Sequence, residues 1–198
     1  RTSPTTQHCM EIYTHWAPTY NAEVQSKVHD YIAPSLIATA ALNASPTPIN
    51  TILDAGCGTG LVGQALYTAG ATTIGGLDLS PAMLDIAKGT GVYRDLMQGD
   101  LTRDLNIPDK VYDVVVCVGT FTLGQVGPRP ALGEFVRVVK IGGIVAATVL
   151  EEVLVDWGFE EEVGRLEGEG RVRVLRREGV DYVRGRGNRA VLVVLRRV

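Results

Sequence analysis

From Ile52 onward the chain alternates short β-branched, apolar runs with segments whose apolar residues recur at helical spacing. "NTILDAG" reads as a first strand, "TGLVGQALYTAG" as a helix ending near Gly70, and "TTIGGLDL" as a second strand. "SPAMLDIAKG" opens with Ser80 as N-cap and Pro81 at the first helical position, and closes at Gly89. "YRDLMQGDL" gives a short third strand and turn. "YDVVVCVG" is nearly all apolar, as a strand buried on both faces must be. "PRPALGEFVRVVK" makes an amphipathic helix and "GGIVAATVL" a fifth strand. This alternation predicts an α/β fold: a doubly wound, mostly parallel sheet with helices on both faces, joined by right-handed crossovers.

The tail changes character. A helix over about residues 155–166 is followed by "RVRVLRREGVDYV" and "NRAVLVVLRRV", with the turn-forming "RGRGN" between them. Such a hairpin must pair antiparallel, so the pattern predicts a seven-stranded sheet with a C-terminal antiparallel edge. Upstream of the sheet, "AEVQSKVHDYIAPSLIATAAL" is an amphipathic helix with a break near Pro34, and "NASPTPIN" is the linker into the first strand. Residues 1–48 therefore read as an N-terminal helical cap segment and residues 49–198 as a ligand-binding α/β core, forming one compact domain.

Charge narrows the partners. A formal net charge of -3 leaves no footprint for nucleic acid or an anionic membrane surface. The basic "RVRVLRREG" directly follows the acidic "FEEEVGRLEGEG", which suits a solvated, charge-balanced face. No apolar run approaches the length of about 18 residues needed for a membrane span. The N-terminus has no apolar core of signal-peptide type, although it begins with Arg1 rather than Met. Cys9, Cys57 and Cys117 share no short spacing, which points to isolated thiols in a reducing cytoplasm rather than a disulfide or zinc framework. The expectation is a cytoplasmic protein with no metal, no membrane partner and no nucleic-acid partner.

Ligands of an open parallel sheet sit beyond the carboxyl ends of the strands, where the strand order reverses. Four features fall at such ends. In "DAGCGTG", Gly56 and Gly58 let backbone lie against a ligand and Gly60 lets the following helix pack closely; the same glycines would also make a plain tight turn. Asp78, 18 residues past Gly60, stands where a carboxylate accepts from the two ribose hydroxyls of an adenosine, and Ser80 is better placed than Asp78 to cap the next helix. Asp100 in "MQGDL" can accept from an adenine amine with Leu101 covering the ring, or can simply form a turn. The glycine-containing "CVGTFTLGQVG" would flank the reacting end of the ligand.

This combination resembles the class I S-adenosylmethionine-dependent methyltransferases, whose Rossmann-like fold matches the sheet read above. Their first motif, an acid followed by spaced glycines, is matched by Asp54, Gly56, Gly58 and Gly60; their ribose acid matches Asp78 and their adenine-proximal acid Asp100. The resemblance implies S-adenosylmethionine as cofactor and S-adenosylhomocysteine as product. The residues it implies for binding are Tyr13, Tyr20, Asp54, Gly56, Gly58, Asp78, Leu79, Met83, Asp100, Leu101 and Val118. The physical reading agrees. This ligand has no phosphate, and Asp54 could offset its ammonium directly or through water. A dinucleotide enzyme would prefer G-x-G-x-x-G, and the position of the last glycine is Leu61 here.

The N-terminal "IYTHWAPTYN" resembles the cap segment of a subgroup related to the methyltransferase-like 27 proteins. That resemblance implies Tyr13 and Tyr20 closing over the methionine half of the cofactor, with Trp16 as a packing anchor; burial of the same rings in the core is the other reading. His15 and His29 have no partner spacing. Relatives of the subgroup often carry histidines where this chain has Leu123 and Gln125, and a proline where it has Ile141 before Gly142 and Gly143. The expected activity is methyl transfer to nitrogen or oxygen of a small molecule or short peptide, with Tyr20, His15 and Gln125 as candidates to line the acceptor pocket and no catalytic base assigned. The missing histidines leave a second reading open: a cofactor-binding protein that does not methylate, acting as another kind of catalyst or as a partner subunit.

Overall fold

The computed structural model describes residues 10–12, 15, 17, 31–45, 49, 51–122, 126–182 and 189–198. Six helices and seven strands are described in full: α1 (Ala33–Ala44), β1 (Ile52–Ala55), α2 (Leu61–Thr68), β2 (Ile74–Asp78), α3 (Pro81–Gly89), β3 (Asp95–Gln98), β4 (Tyr112–Phe121), α4 (Ala131–Val138), β5 (Val139–Leu150), α5 (Glu151–Leu154), α6 (Phe159–Gly168), β6 (Val172–Asp181) and β7 (Arg189–Arg197).

The strands form one seven-stranded sheet in the order β3-β2-β1-β4-β5-β7-β6. Pairings from β3 through β5 are parallel, and β7 pairs antiparallel with both β5 and β6. The expected α/β fold, doubly wound and closed by an antiparallel hairpin, is the observed one. Strand order reverses between β1 and β4, so the crevice beyond their carboxyl ends is the topological switch point.

Both faces of the sheet are buried along its central strands, while the edge strands β3 and β6 are largely exposed. All four residues of β1 are buried, with Leu53 on one face and Ile52 on the other. On the first face Phe121 packs edge-on against Phe159, ring centroids 4.8 Å apart, with Phe135 at 6.0 Å. On the second face Ile37 and Ala41 of α1 and Leu66 of α2 cover Val114 and Val116. Pro34 lies in the first turn of α1, where its missing N–H costs nothing. Tyr31 and Ile32 before it are not helical, and residues 22–30 of the expected longer helix lie outside the described residues.

Two boundaries differ from the sequence pattern. The amphipathic run expected to reach Lys140 leaves the helix at Val138, and β5 begins at once with Val139 opposite Tyr112. The Lys140 ammonium meets the Asp113 carboxylate at 2.7 Å, and the strand then bulges before Ile144. The helix expected over residues 155–166 begins later, at Phe159, after a turn that ends on Gly158 in a left-handed conformation with φ 75°, and the short α5 precedes that turn. Among the described residues, no helix is long and apolar enough to cross a membrane.

Candidate functional site

The loop after β1 is held against both neighbouring strands. The amides of Gly56 and Cys57 both donate to the Leu77 carbonyl, at 2.7 and 3.0 Å. Gly56 has φ 75°, and a Cβ there would lie 2.2 Å from Thr120 Oγ1 at the end of β4. Only glycine fits on both counts. A Cβ on Gly58 would meet none of the described residues within 4 Å, so this part of the loop is open on that side among them.

Asp78 ends β2 beside this loop. Its Oδ2 accepts from the Gly58 amide at 2.8 Å and its Oδ1 from the Ser80 amide at 2.9 Å. Burial raises its pKa and these amides oppose the rise. Ser80 also caps α3 as expected, its Oγ accepting from the Met83 amide at 3.4 Å.

Asp54 lies within β1, fully buried under the loop. The Tyr93 hydroxyl donates to its Oδ2 at 2.6 Å, while Oδ1 has no hydrogen-bond partner among the described residues. Burial pushes the carboxyl up to about 7; the Tyr93 hydrogen bond pulls the other way and the charge of Asp78 adds to the rise. A buried acid whose second oxygen has no partner among the described residues is unusual in a fold, and such groups concentrate at binding sites.

The remaining candidates differ in burial and partners. Leu79 follows Asp78 and is half-buried, while Met83, Leu101 and Val118 are buried. The Asp100 Oδ1 accepts from the Thr102 amide at 2.9 Å and its hydroxyl at 2.6 Å, so that carboxylate shapes its own turn. Tyr13, Trp16, Tyr20, His29, Leu123 and Gln125 lie outside the described residues; His15 is exposed on a helical segment.

Three participants carried no motif: Thr120, Tyr93, and the pair Tyr31–Tyr182, whose hydroxyls hydrogen-bond at 3.0 Å near Gly119. The one available signal for Tyr93 was indirect. Gly63 inside a helix and Gly76 inside a strand had no local reason to be glycine, and both make room for its ring.

Residues 52–143 match the family model of a methyltransferase domain. That segment carries a methyltransferase domain. The chain is 37% identical over 142 residues to methyltransferase-like protein 27 of Homo sapiens, covering 70% of this chain and 56% of that protein. It therefore spans about half the length of that relative. It is 36% identical over 67 residues to an 18S rRNA (guanine-N(7))-methyltransferase of Bos taurus, covering 34% of this chain and 24% of that protein. A TehB-like S-adenosylmethionine-dependent methyltransferase of Corynebacterium glutamicum superposes with a TM-score of 0.68 at 22% identity, covering 95% of this chain and all of the other, which establishes the shared fold.

The residues present fit this cofactor. The open backbone at Gly58, the Asp78 carboxylate beside it and the unsatisfied Asp54 oxygen beneath suit a ligand that joins an adenosine to a cationic amino-acid tail. No part of this arrangement calls for a polyanion.

Proposed function

We propose that the protein transfers a methyl group to nitrogen or oxygen of a small molecule or short peptide. The observation that carries this reading is the pairing of Asp54 and Asp78 around one glycine loop at the switch point. Asp78 is the acceptor for the ribose hydroxyls, using the lone pairs left after its two amides. Gly56 and Gly58 present backbone to the amino-acid tail. Asp54 is sealed below them, so it acts on the ligand ammonium through its charge in a low-dielectric setting. Leu79, Met83, Leu101 and Val118 supply apolar walls, Asp100 borders the adenine end, and Tyr13 and Tyr20 cover the tail. Residues 1–48 serve as cap and residues 49–198 as core, with α1 already packed into that core through Ile37 and Ala41.

When bound, S-adenosylmethionine supplies an electrophilic methyl group. The chain's contribution is alignment and exclusion of water, since an in-line displacement disperses charge and a neutral amine acceptor needs no base. The acceptor class is supported by the net charge and by the way the exposed arginines are spent. Arg129, Arg165, Arg176, Arg177 and Arg189 each pair with a glutamate, so these cations are balanced locally rather than free for phosphates. The rRNA-modifying relative supports the other class over a third of the chain. The buried thiols Cys57 and Cys117 suit the cytoplasm. The test is calorimetry with S-adenosylhomocysteine, followed by transfer of a tritiated methyl group to separated pools of small molecules, peptides and RNA. Label in the first two pools supports the proposal. Label in RNA alone overturns the acceptor class.

A further inference from the structure

Tyr93 enters the site from the turn between α3 and β3. Its ring fills a volume that three glycines leave free. A Cβ on Gly60 or Gly76 would come within 3.0 Å of the ring, and one on Gly63 within 2.3 Å of its hydroxyl. The same hydroxyl does two jobs. Gly60, at the N-cap of α2, has no side chain to satisfy the first turn, and the Gly63 amide donates instead to the Tyr93 oxygen at 3.2 Å. The single phenolic proton is donated to Asp54 Oδ2 at 2.6 Å.

We infer that Tyr93 is a positioning residue of the ligand site: it fixes the Asp54 carboxylate beneath the glycine loop, ties it to the start of α2, and thereby sets the charge the loop offers to the ligand's ammonium. This rests on the reading of Asp54 as the counter-charge for that ammonium.

The groups facing Asp54 are Tyr93, Asp78, Cys57 from the loop and Cys117 from β4. Burial pushes both thiols up, Cys117 to about 12, so neither carries charge near neutrality. Asp78 opposes ionisation of Asp54, and the Tyr93 hydrogen bond favours it. Asp54 ionises as pH rises through about 7, so affinity for a ligand bearing the ammonium rises over the same interval. Removing the phenolic proton moves that rise to higher pH.

The experiment titrates the full chain by calorimetry from about pH 5 to about pH 9 with S-adenosylhomocysteine, and with 5′-methylthioadenosine, which lacks the amino-acid tail. In Tyr93→Phe the midpoint for S-adenosylhomocysteine moves up by about one unit, which is a ~10-fold loss below the wild-type midpoint that closes at high pH. Affinity for 5′-methylthioadenosine is unchanged. Incorporation of 3-fluorotyrosine at position 93, a stronger donor of the same shape, moves the midpoint down and decides the matter should Tyr93→Phe fail to fold. An unmoved midpoint, or an equal loss for both ligands at every pH, overturns the role of Tyr93 while leaving Asp54 in place. A wild-type affinity for S-adenosylhomocysteine that does not vary with pH, matched by Asp54→Asn, overturns the Asp54 reading itself.

Discussion

The Gly58 amide donates to Asp78 Oδ2 at 2.8 Å, so the acid that ends β2 is bound to the glycine loop that follows β1. Its other oxygen accepts from Ser80 at the start of α3. One side chain thus ties the glycine loop to the start of α3, and under the proposed function its remaining lone pairs accept from the ligand. Asp78→Ala is expected to lose stability by about 2 kcal/mol, because two amides lose a charged partner. Asp78→Asn keeps one carbonyl acceptor and sets its NH2 against the other amide, so it is expected to cost less stability than Asp78→Ala while removing the charge. In that variant S-adenosylhomocysteine affinity falls about 10-fold or more, as loss of a charge-assisted hydrogen bond requires. Calorimetry on the folded variant checks this, and unchanged affinity removes Asp78 from the site.

Gly56 makes a separate demand. Its φ of 75° and the 2.2 Å approach of Thr120 Oγ1 to a would-be Cβ are independent obstacles to any other residue. Gly56→Ala is therefore expected to cost about 2–4 kcal/mol in denaturant unfolding, combining backbone strain with overpacking. Adding Thr120→Ala relieves the clash and leaves the strain, so the double variant recovers about half the loss. Full recovery would mean the backbone conformation is easy to reach. No recovery would mean Thr120 is not what the loop presses on.

Asp54 makes folding stability depend on pH with a sign opposite to that of an ordinary paired carboxylate. Its folded pKa, about 7, lies above the ordinary 3.8, so the native state holds a proton that the unfolded chain has released. The stability this group contributes is complete below pH 3.8 and is lost as pH rises to about 7. The largest slope one proton can give is about 1.4 kcal/mol per pH unit. Asp54→Asn, neutral throughout, lacks this slope. Denaturant unfolding of the two proteins across the window measures it, and parallel curves would place the Asp54 proton elsewhere.

How much of this was legible in the chain follows the range of the interactions. The sheet, its switch point and the hairpin are local patterns repeated along the sequence, and apolar alternation exposes each one. Asp54, Gly56, Gly58 and Asp78 sit at fixed offsets from strand ends, so spacing finds them. The turn ending on Gly158 escaped because its residues continue the apolar spacing of the helix that follows. The abrupt passage from α4 to β5 escaped because Val139 and Lys140 continue an amphipathic pattern while their partners, Tyr112 and Asp113, lie on another strand. Tyr93 reaches Asp54 across 39 residues, and no periodicity encodes a contact of that kind.

The tyrosine pair spans far more of the chain. Tyr31, just before α1, donates to the Tyr182 oxygen at 3.0 Å across 151 residues, with the rings edge to face at 5.2 Å. The Tyr182 hydroxyl lies 2.9 Å from where a Cβ on Gly119 would stand, one residue before the Thr120 that abuts the glycine loop. The two phenols therefore link the segment before α1 to the end of the β6 hairpin directly above β4. Tyr31→Phe and Tyr182→Phe should each reduce stability by about 1 kcal/mol, the net worth of one neutral hydrogen bond. The double variant should lose little more than either single one, with a coupling of about 0.5 kcal/mol or more, because both changes delete the same bond. Gly119→Ala adds a Cβ at φ 77° against the Tyr182 oxygen and should cost more than either phenylalanine. Denaturant titrations of the four variants close the cycle. Strict additivity of the two phenylalanines would show that the hydroxyls do not act on one another in solution.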